Sequence, residues 1–250
     1  MASHGPSPFH TTQWSLIAAL PHGRGDARSE TQEARAHEAL THLCNAYWRP
    51  LYAFARHRGH TAEDARDLTQ AFLAEVIETG GLGGAERDRG RFRSYLLGAM
   101  KHFMARARDH AKAQKRGGGH RFVPFDIADI ESRIAAGGRA TTPAETDLAF
   151  DRNWAQETTA AALDALEVEW SARGKAEHFA VLRGGLTGEG PAYAEAAARL
   201  GMTENTVAVM MHRLRRRYAD LVREAVAQTV ADAADIDDEL RHLVRVLREK

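Results

Sequence analysis

Very little in this chain marks it for secretion, a membrane or a metal cluster. A single cysteine, Cys44, among 250 residues excludes an intrachain disulfide and any zinc site built from several thiolates. Cys44 lies at helical spacing with Leu40, Leu43, Tyr47 and Leu51, which predicts a buried structural thiol rather than a nucleophile. Although 44% of the residues are hydrophobic, no apolar run approaches the roughly 20 residues of a membrane-spanning helix, and no membrane insertion is expected. The opening MASHGPSPFH has no charged segment followed by an apolar one, so no secretory signal is expected and the location expected is cytoplasmic. Catalytic patterns are missing too. GGLGG at 80–84 has glycines but neither a following lysine nor a preceding strand, unlike a phosphate-cradling loop. No Ser-His-Asp or Cys-His arrangement is suggested, and His57 and His60 lack carboxylates in a ligand pattern. No enzymatic activity, cofactor or metal site is expected.

Net charge is also absent, with 34 Lys and Arg against 34 Asp and Glu, whereas free-standing DNA binders usually carry a positive surplus. The charge is segregated instead. Lys101 to Arg121 holds seven basic residues and one acidic, a net of plus six. Phe122 to Asp151 holds six acidic and two basic, a net of minus four, and all five charges from Asp232 to Glu239 are negative.

Alternating β-branched runs do not occur, and alanine-, leucine- and arginine-rich segments at helical spacing dominate. The expectation is an all-α protein of two helical domains joined by an acidic, flexible linker. Helices are expected near 12–20, 31–57, 61–78, 91–115, 151–171, 175–183, 192–199 and 204–227. A final amphipathic segment aligns Ile236, Leu240, Leu243, Val244 and Leu247. Glycine-rich breaks at 80–90 and 116–120, and the Pro-containing acidic stretch that follows, divide the chain. The boundaries are an amino-terminal segment 1–30, a domain 31–118, a linker 119–150, a second domain 151–228 and a tail 229–250.

The most specific stretch is YAEAAARLGMTENTVAVMMHRLRRRY, 193–218. Ala194, Ala197, Ala198 and Leu200 give a first helix an apolar face, Gly201 permits the turn, and Thr203 can cap the second helix. Val207, Met211, Leu214, Tyr218 and Leu221 then recur at core spacing, leaving Glu204, Asn205, Ala208, His212, Arg213, Arg215 and Arg216 outside. This pattern predicts a helix-turn-helix whose second helix can read a DNA groove. A merely solvated basic face is the competing reading of the arginines.

In the first domain, TAEDARDLTQAFLAEVIE begins with a capping pattern, Thr61 and Asp64, and turns Ala65, Leu68, Phe72 and Val76 inward. Glu63, Asp67 and Gln70 form a polar stripe that either solvates the helix or docks a protein. FRSYLLGAMKHFMARARDHAKAQKR follows, mixing basic residues with Phe92 and Tyr95. Such a mixture suits single-stranded nucleic acid, and core packing of the two rings is the equal alternative.

In their order and spacing these three segments, EDARDLTQAFL, FRSYLLGAMKHF with its basic tail, and the helix-turn-helix, resemble bacterial sigma factors of the extracytoplasmic-function type from about Leu40 to Gln228. The resemblance implies two helical domains, region 2-like and region 4-like, that bring core RNA polymerase to promoter DNA. It implies polymerase binding by Asp64, Asp67, Leu68 and Gln70. Contacts to the −10 region with base capture and melting would come from Arg91, Phe92, Arg93, Tyr95, Lys101, His102, Arg106 and Arg108. Reading of the −35 element would come from Thr203, Glu204, Asn205, Thr206, His212, Arg213, Arg215 and Arg216. Two recognition-helix positions that are often basic or polar in the family are Ala208 and Met210 here. An anti-sigma factor or another regulator is a further partner the resemblance allows. The tail is expected to pack on the carboxy-terminal domain, with regulator or polymerase binding as its alternative. Two other functions remain open: a stand-alone helix-turn-helix regulator, and a sigma-like protein-interaction module without promoter activity.

Overall fold

The computed structural model describes residues 30–78, 91–111, 127–137, 140 and 142–249. The expected helix at 12–20, the loop at 80–90 and the basic stretch beyond residue 111 lie outside the described residues. Those described form helices α1 (Glu30–His57), α2 (Ala62–Glu78), α3 (Phe92–Ala111), α4 (Ala128–Gly137), α5 (Pro143–Ala172), α6 (Ala176–Leu182), α7 (Gly184–Thr187), α8 (Tyr193–Leu200), α9 (Glu204–Ala227) and α10 (Ile236–Arg248), with a 3₁₀ turn at Ala233–Asp235. No strand occurs among the described residues, and no helix among them is long and apolar enough to cross a membrane. The chain forms two compact units, Met1–Glu157 with Ala227–Lys250, and Thr158–Val226. The division falls inside α5.

Aromatic residues organise the core of the first unit. Tyr47 meets Phe92 edge-on at 5.1 Å between ring centroids, and Phe150 packs against both Tyr47 and Phe54. Cys44 is fully buried on α1, and burial pushes its thiol up to about 12, so it is the inert core thiol expected. The start of α2 is capped as its sequence predicts: the Asp64 N–H donates to Thr61 Oγ1 at 3.1 Å, and the Thr61 hydroxyl donates to Asp64 Oδ2 at 2.7 Å. From α2, Ala65, Phe72 and Val76 are buried as expected, joined by Thr69 and Leu73, while Leu68 is half-buried.

Two expectations about organisation fail here. The stretch expected as an extended acidic linker contains α4 and the first turns of α5. Glu131 of α4 takes a two-pronged bond from Arg56, at 2.7 and 2.8 Å, and a third from the Tyr52 hydroxyl; the Arg56 bonds hold its carboxyl below the usual range. Pro143, read as a linker residue, is the first residue of α5. Thr142 and Glu145 close a reciprocal capping box across it, each side chain accepting from the other's N–H at 3.2 and 3.1 Å.

The tail is the second correction. It belongs to the first unit, not to the carboxy-terminal domain. Phe92 donates its N–H to the Thr229 carbonyl at 2.9 Å. Inside α10 the buried residues are Glu239, Leu243 and Val246, whereas Val244 and Leu247 of the expected stripe are exposed. The helix is turned this way because Glu239, with no side-chain exposure, meets Arg93 at 2.8 Å. Arg93 also binds Asp151 of α5 and lies 5.0 Å over the Trp154 ring. Asp151 in turn accepts from His242 at 2.9 Å.

A buried ion pair broken on one side leaves a charge without a partner, at a cost of about 3–5 kcal/mol. Arg93→Met, which takes the buried partner from both Glu239 and Asp151, is expected to destabilise the protein by that order, read from urea unfolding; Glu239→Leu is expected to cost less because Asp151 still meets Arg93, and the double variant to recover part of the loss. His242 is held below its ordinary 6.5 by burial and by the neighbouring Arg93 charge. Its folded state therefore binds fewer protons than its unfolded state, and stability falls as pH drops below about 6.5. Unfolding midpoints at pH 7.5 and 5.5 are expected to differ less in His242→Gln than in the native protein.

Candidate nucleic-acid interface

The second unit is built around one cluster, in which Leu166 and Trp170 of α5, Phe179 and Leu182 of α6, Ala196 and Ala197 of α8, and Val207, Met211 and Leu214 of α9 are buried together. Small alanines on α8 let α9 approach closely. Gly201 ends α8 in the left-handed region at φ 64°, and Met202 donates its N–H to the Ala197 carbonyl at 3.0 Å. A side chain at that φ costs about 1–2 kcal/mol, which glycine avoids. Thr203 then starts α9: its Oγ1 accepts the Thr206 N–H at 3.2 Å and sits 2.9 Å from the Thr206 hydroxyl. α8 and α9 thus follow one another through Gly201, Met202 and Thr203, with the turn and the cap at the residues the sequence indicated.

Backbone crowding behind the turn is severe. A Cβ on Gly190 would sit 2.4 Å from the Gly185 nitrogen, and one on Gly185 would sit 3.0 Å from Met211 Sδ. The segment leading into α8 therefore passes close to α7 and α9. Arg217 fastens α9 to α5 through a two-pronged bond to Glu169, at 2.6 and 3.1 Å. Those bonds hold Glu169 below the usual carboxylate range. The Tyr218 hydroxyl donates to the Thr159 carbonyl at 3.1 Å.

What remains outside is the face opposite this core. Glu204, Asn205, Thr206, His212, Arg213, Arg215 and Arg216 are all exposed. Arg215 is held by its own unit, donating to the Tyr193 hydroxyl at 3.3 Å and to the Gly185 carbonyl at 3.1 Å. Among the described residues neither Arg213 nor Arg216 makes an ion pair. The two apolar positions singled out in the sequence resolve differently: Ala208 is half-buried, and Met210 packs partly against the core. The exposed apolar residue is Val209, which the expected contacts omit. The spacing 205, 209, 212, 216 is the signal that points to it.

In the first unit the expected nucleic-acid residues do not form one surface. Phe92 and Tyr95 are buried, and Phe92 packs on Tyr47, so of the two readings of these rings the fold takes core packing. Arg93 is buried in the carboxylate cage. Arg91 lies 3.3 Å from Glu239, Lys101 lies 2.6 Å from Asp147, and Arg106 pairs with Glu75. His102 is exposed, and the Arg108 side chain lies outside the described residues. Of the expected polymerase-binding set, Asp64 is engaged in the α2 cap, Gln70 and Leu68 are half-buried, and Asp67 is exposed with no ion pair among the described residues.

No family model, no curated protein and no solved structure matches this chain. The described residues are helical and fall in two compact units, the second carrying α8 and α9 joined at Gly201 with arginines exposed on the outer side of α9. Thr203→Ala removes the α9 cap and is expected to cost about 0.5–2 kcal/mol, measured by urea unfolding, whereas Thr206→Ala leaves the capping oxygen in place and should cost less.

Proposed function

We propose that this protein is a sigma factor of the extracytoplasmic-function type, which joins core RNA polymerase and directs it to promoter DNA. The observation that carries the DNA-binding part is the α8–Gly201–α9 arrangement with Arg213 and Arg216 exposed on its outer face. Backbone N–H groups and arginines fix such a helix on phosphates, while neighbouring side chains read base edges. Partnership with polymerase is supported by two features. The chain is neutral, with 34 charges of each sign, so it supplies little of the long-range attraction to DNA that a free binder relies on. The α2 face presents Asp67 to solvent, a surface suited to a basic protein partner. The order of the three segments, which resembles that family, is the remaining support.

Burial of Phe92, Arg93 and Tyr95 favours a second reading, a stand-alone regulator that reads duplex DNA through α9 alone. Run-off transcription with purified core polymerase separates the two. Promoter-dependent transcripts are expected for a sigma factor; their absence, with duplex binding intact, would establish the regulator. Arg213→Ala and Arg216→Ala are each expected to reduce the slope of log affinity against log salt by about 0.9 for every phosphate the arginine had neutralised. An unchanged slope would reduce these arginines to solvation of the helix.

A further inference from the structure

Along α9 the positions 205, 209, 212 and 216 fall on one stripe, since steps of three and four residues return to the same side of a helix. Val207, Met211 and Leu214, the buried residues, occupy the opposite side. The outer stripe is therefore Asn205, Val209, His212 and Arg216, with Arg213 beside it, and all five are exposed. Val209 stands at its centre with 44% exposure. A single exposed apolar side chain is ordinary on a protein surface; its placement is what distinguishes this one. A β-branched residue is among the poorer choices for a solvated helix position, because the preceding turn restricts its side chain. Neither the core nor any described ion pair requires it there.

We infer that Val209 is a specificity-determining residue, reading the C5-methyl group of a thymine in the major groove while Asn205 reads a nearby adenine. This rests on the helix-turn-helix reading above. The chemistry of the stripe matches that of an A·T step. An asparagine amide pairs with the N6 and N7 positions of adenine, and an apolar side chain packs on the one apolar group the groove offers, the thymine methyl. Asn205 and Val209 are four residues apart, about 6 Å along the helix, close to two base-pair steps of about 3.4 Å. Arg213 and Arg216, which make no ion pair among the described residues, supply the positive charge that phosphates on either side would meet.

The test begins with duplexes enriched from a random pool by the full chain, both alone and assembled with core polymerase. Each thymine in the enriched sequence is then replaced singly by uracil, which removes only the methyl group. At one thymine the native protein is expected to lose about fourfold in affinity, the worth of one buried methyl, while Val209→Ala loses nothing further. Circular dichroism of Val209→Ala is expected to match the native protein, since the residue is exposed. If neither selection yields an enriched sequence, the helix-turn-helix reading falls and the inference with it. If a sequence is enriched but every uracil is silent, or Val209→Ala retains the full methyl effect, the inference alone is overturned. Loss of polymerase assembly in Val209→Ala with unchanged base reading would make this face a protein-docking surface and would likewise overturn it.

Discussion

Arg93 in its carboxylate cage is the constraint on which the first unit depends. A guanidinium with 7% side-chain exposure is tolerable only because Glu239 and Asp151 meet it and the Trp154 ring covers it. Removing a charge from water is costly, and attraction inside the protein offsets the cost only when geometry and hydrogen bonds are good. Here Arg93 and Glu239 are separated by 146 residues in the chain. Satisfying this one side chain brings α3, α5 and α10 together and decides which side of α10 is buried.

The same logic extends beyond Arg93. Carboxylates of both acidic stretches are taken up in internal pairs: Glu131 with Arg56, Asp147 with Lys101, and Asp151 and Glu239 with Arg93. Arg49 and Arg133 add a shared partner in Glu157. Most of these pairs are only half-buried, so individually they add little to stability; their effect is to select one arrangement of the helices. Positive charge committed in this way is not offered to DNA. The outer side of α9 differs, because the pair that fastens this helix, Arg217 to Glu169, leaves Arg213 and Arg216 outside. That contrast is why the proposed DNA contact is placed on the helix-turn-helix.

What could be read from sequence follows the range of the interactions involved. The cap at Thr61, the turn at Gly201, the cap at Thr203 and the buried series Val207, Met211, Leu214 are all set by residues within a few positions of one another, and each was legible. The cage around Arg93 was not, because nothing near Arg93 in sequence announces Glu239. For the same reason Phe92 and Tyr95 could be core or surface until Tyr47 was placed against Phe92, and Phe92 against Tyr95. The supposed linker is a different case. Its Thr142-Pro143-Ala144-Glu145 signature is local and was readable as a helix start, but proline and acidic composition pointed the other way. On α9, Val209 lies between the two apolar positions that depart from the family pattern, and only the helical spacing of its polar neighbours singles it out.

Neutral overall charge and an outer face with three exposed arginines lead to one consequence that can be measured directly: the affinity of the full chain for its enriched duplex at physiological salt, with and without core polymerase. The free chain is predicted to remain near the range of non-specific binding, about 10⁻⁴–10⁻⁶ M, and the assembled complex to reach the specific range of about 10⁻⁸ M or tighter. Tight, sequence-specific binding by the free chain, unchanged when polymerase is added, would contradict the sigma-factor reading.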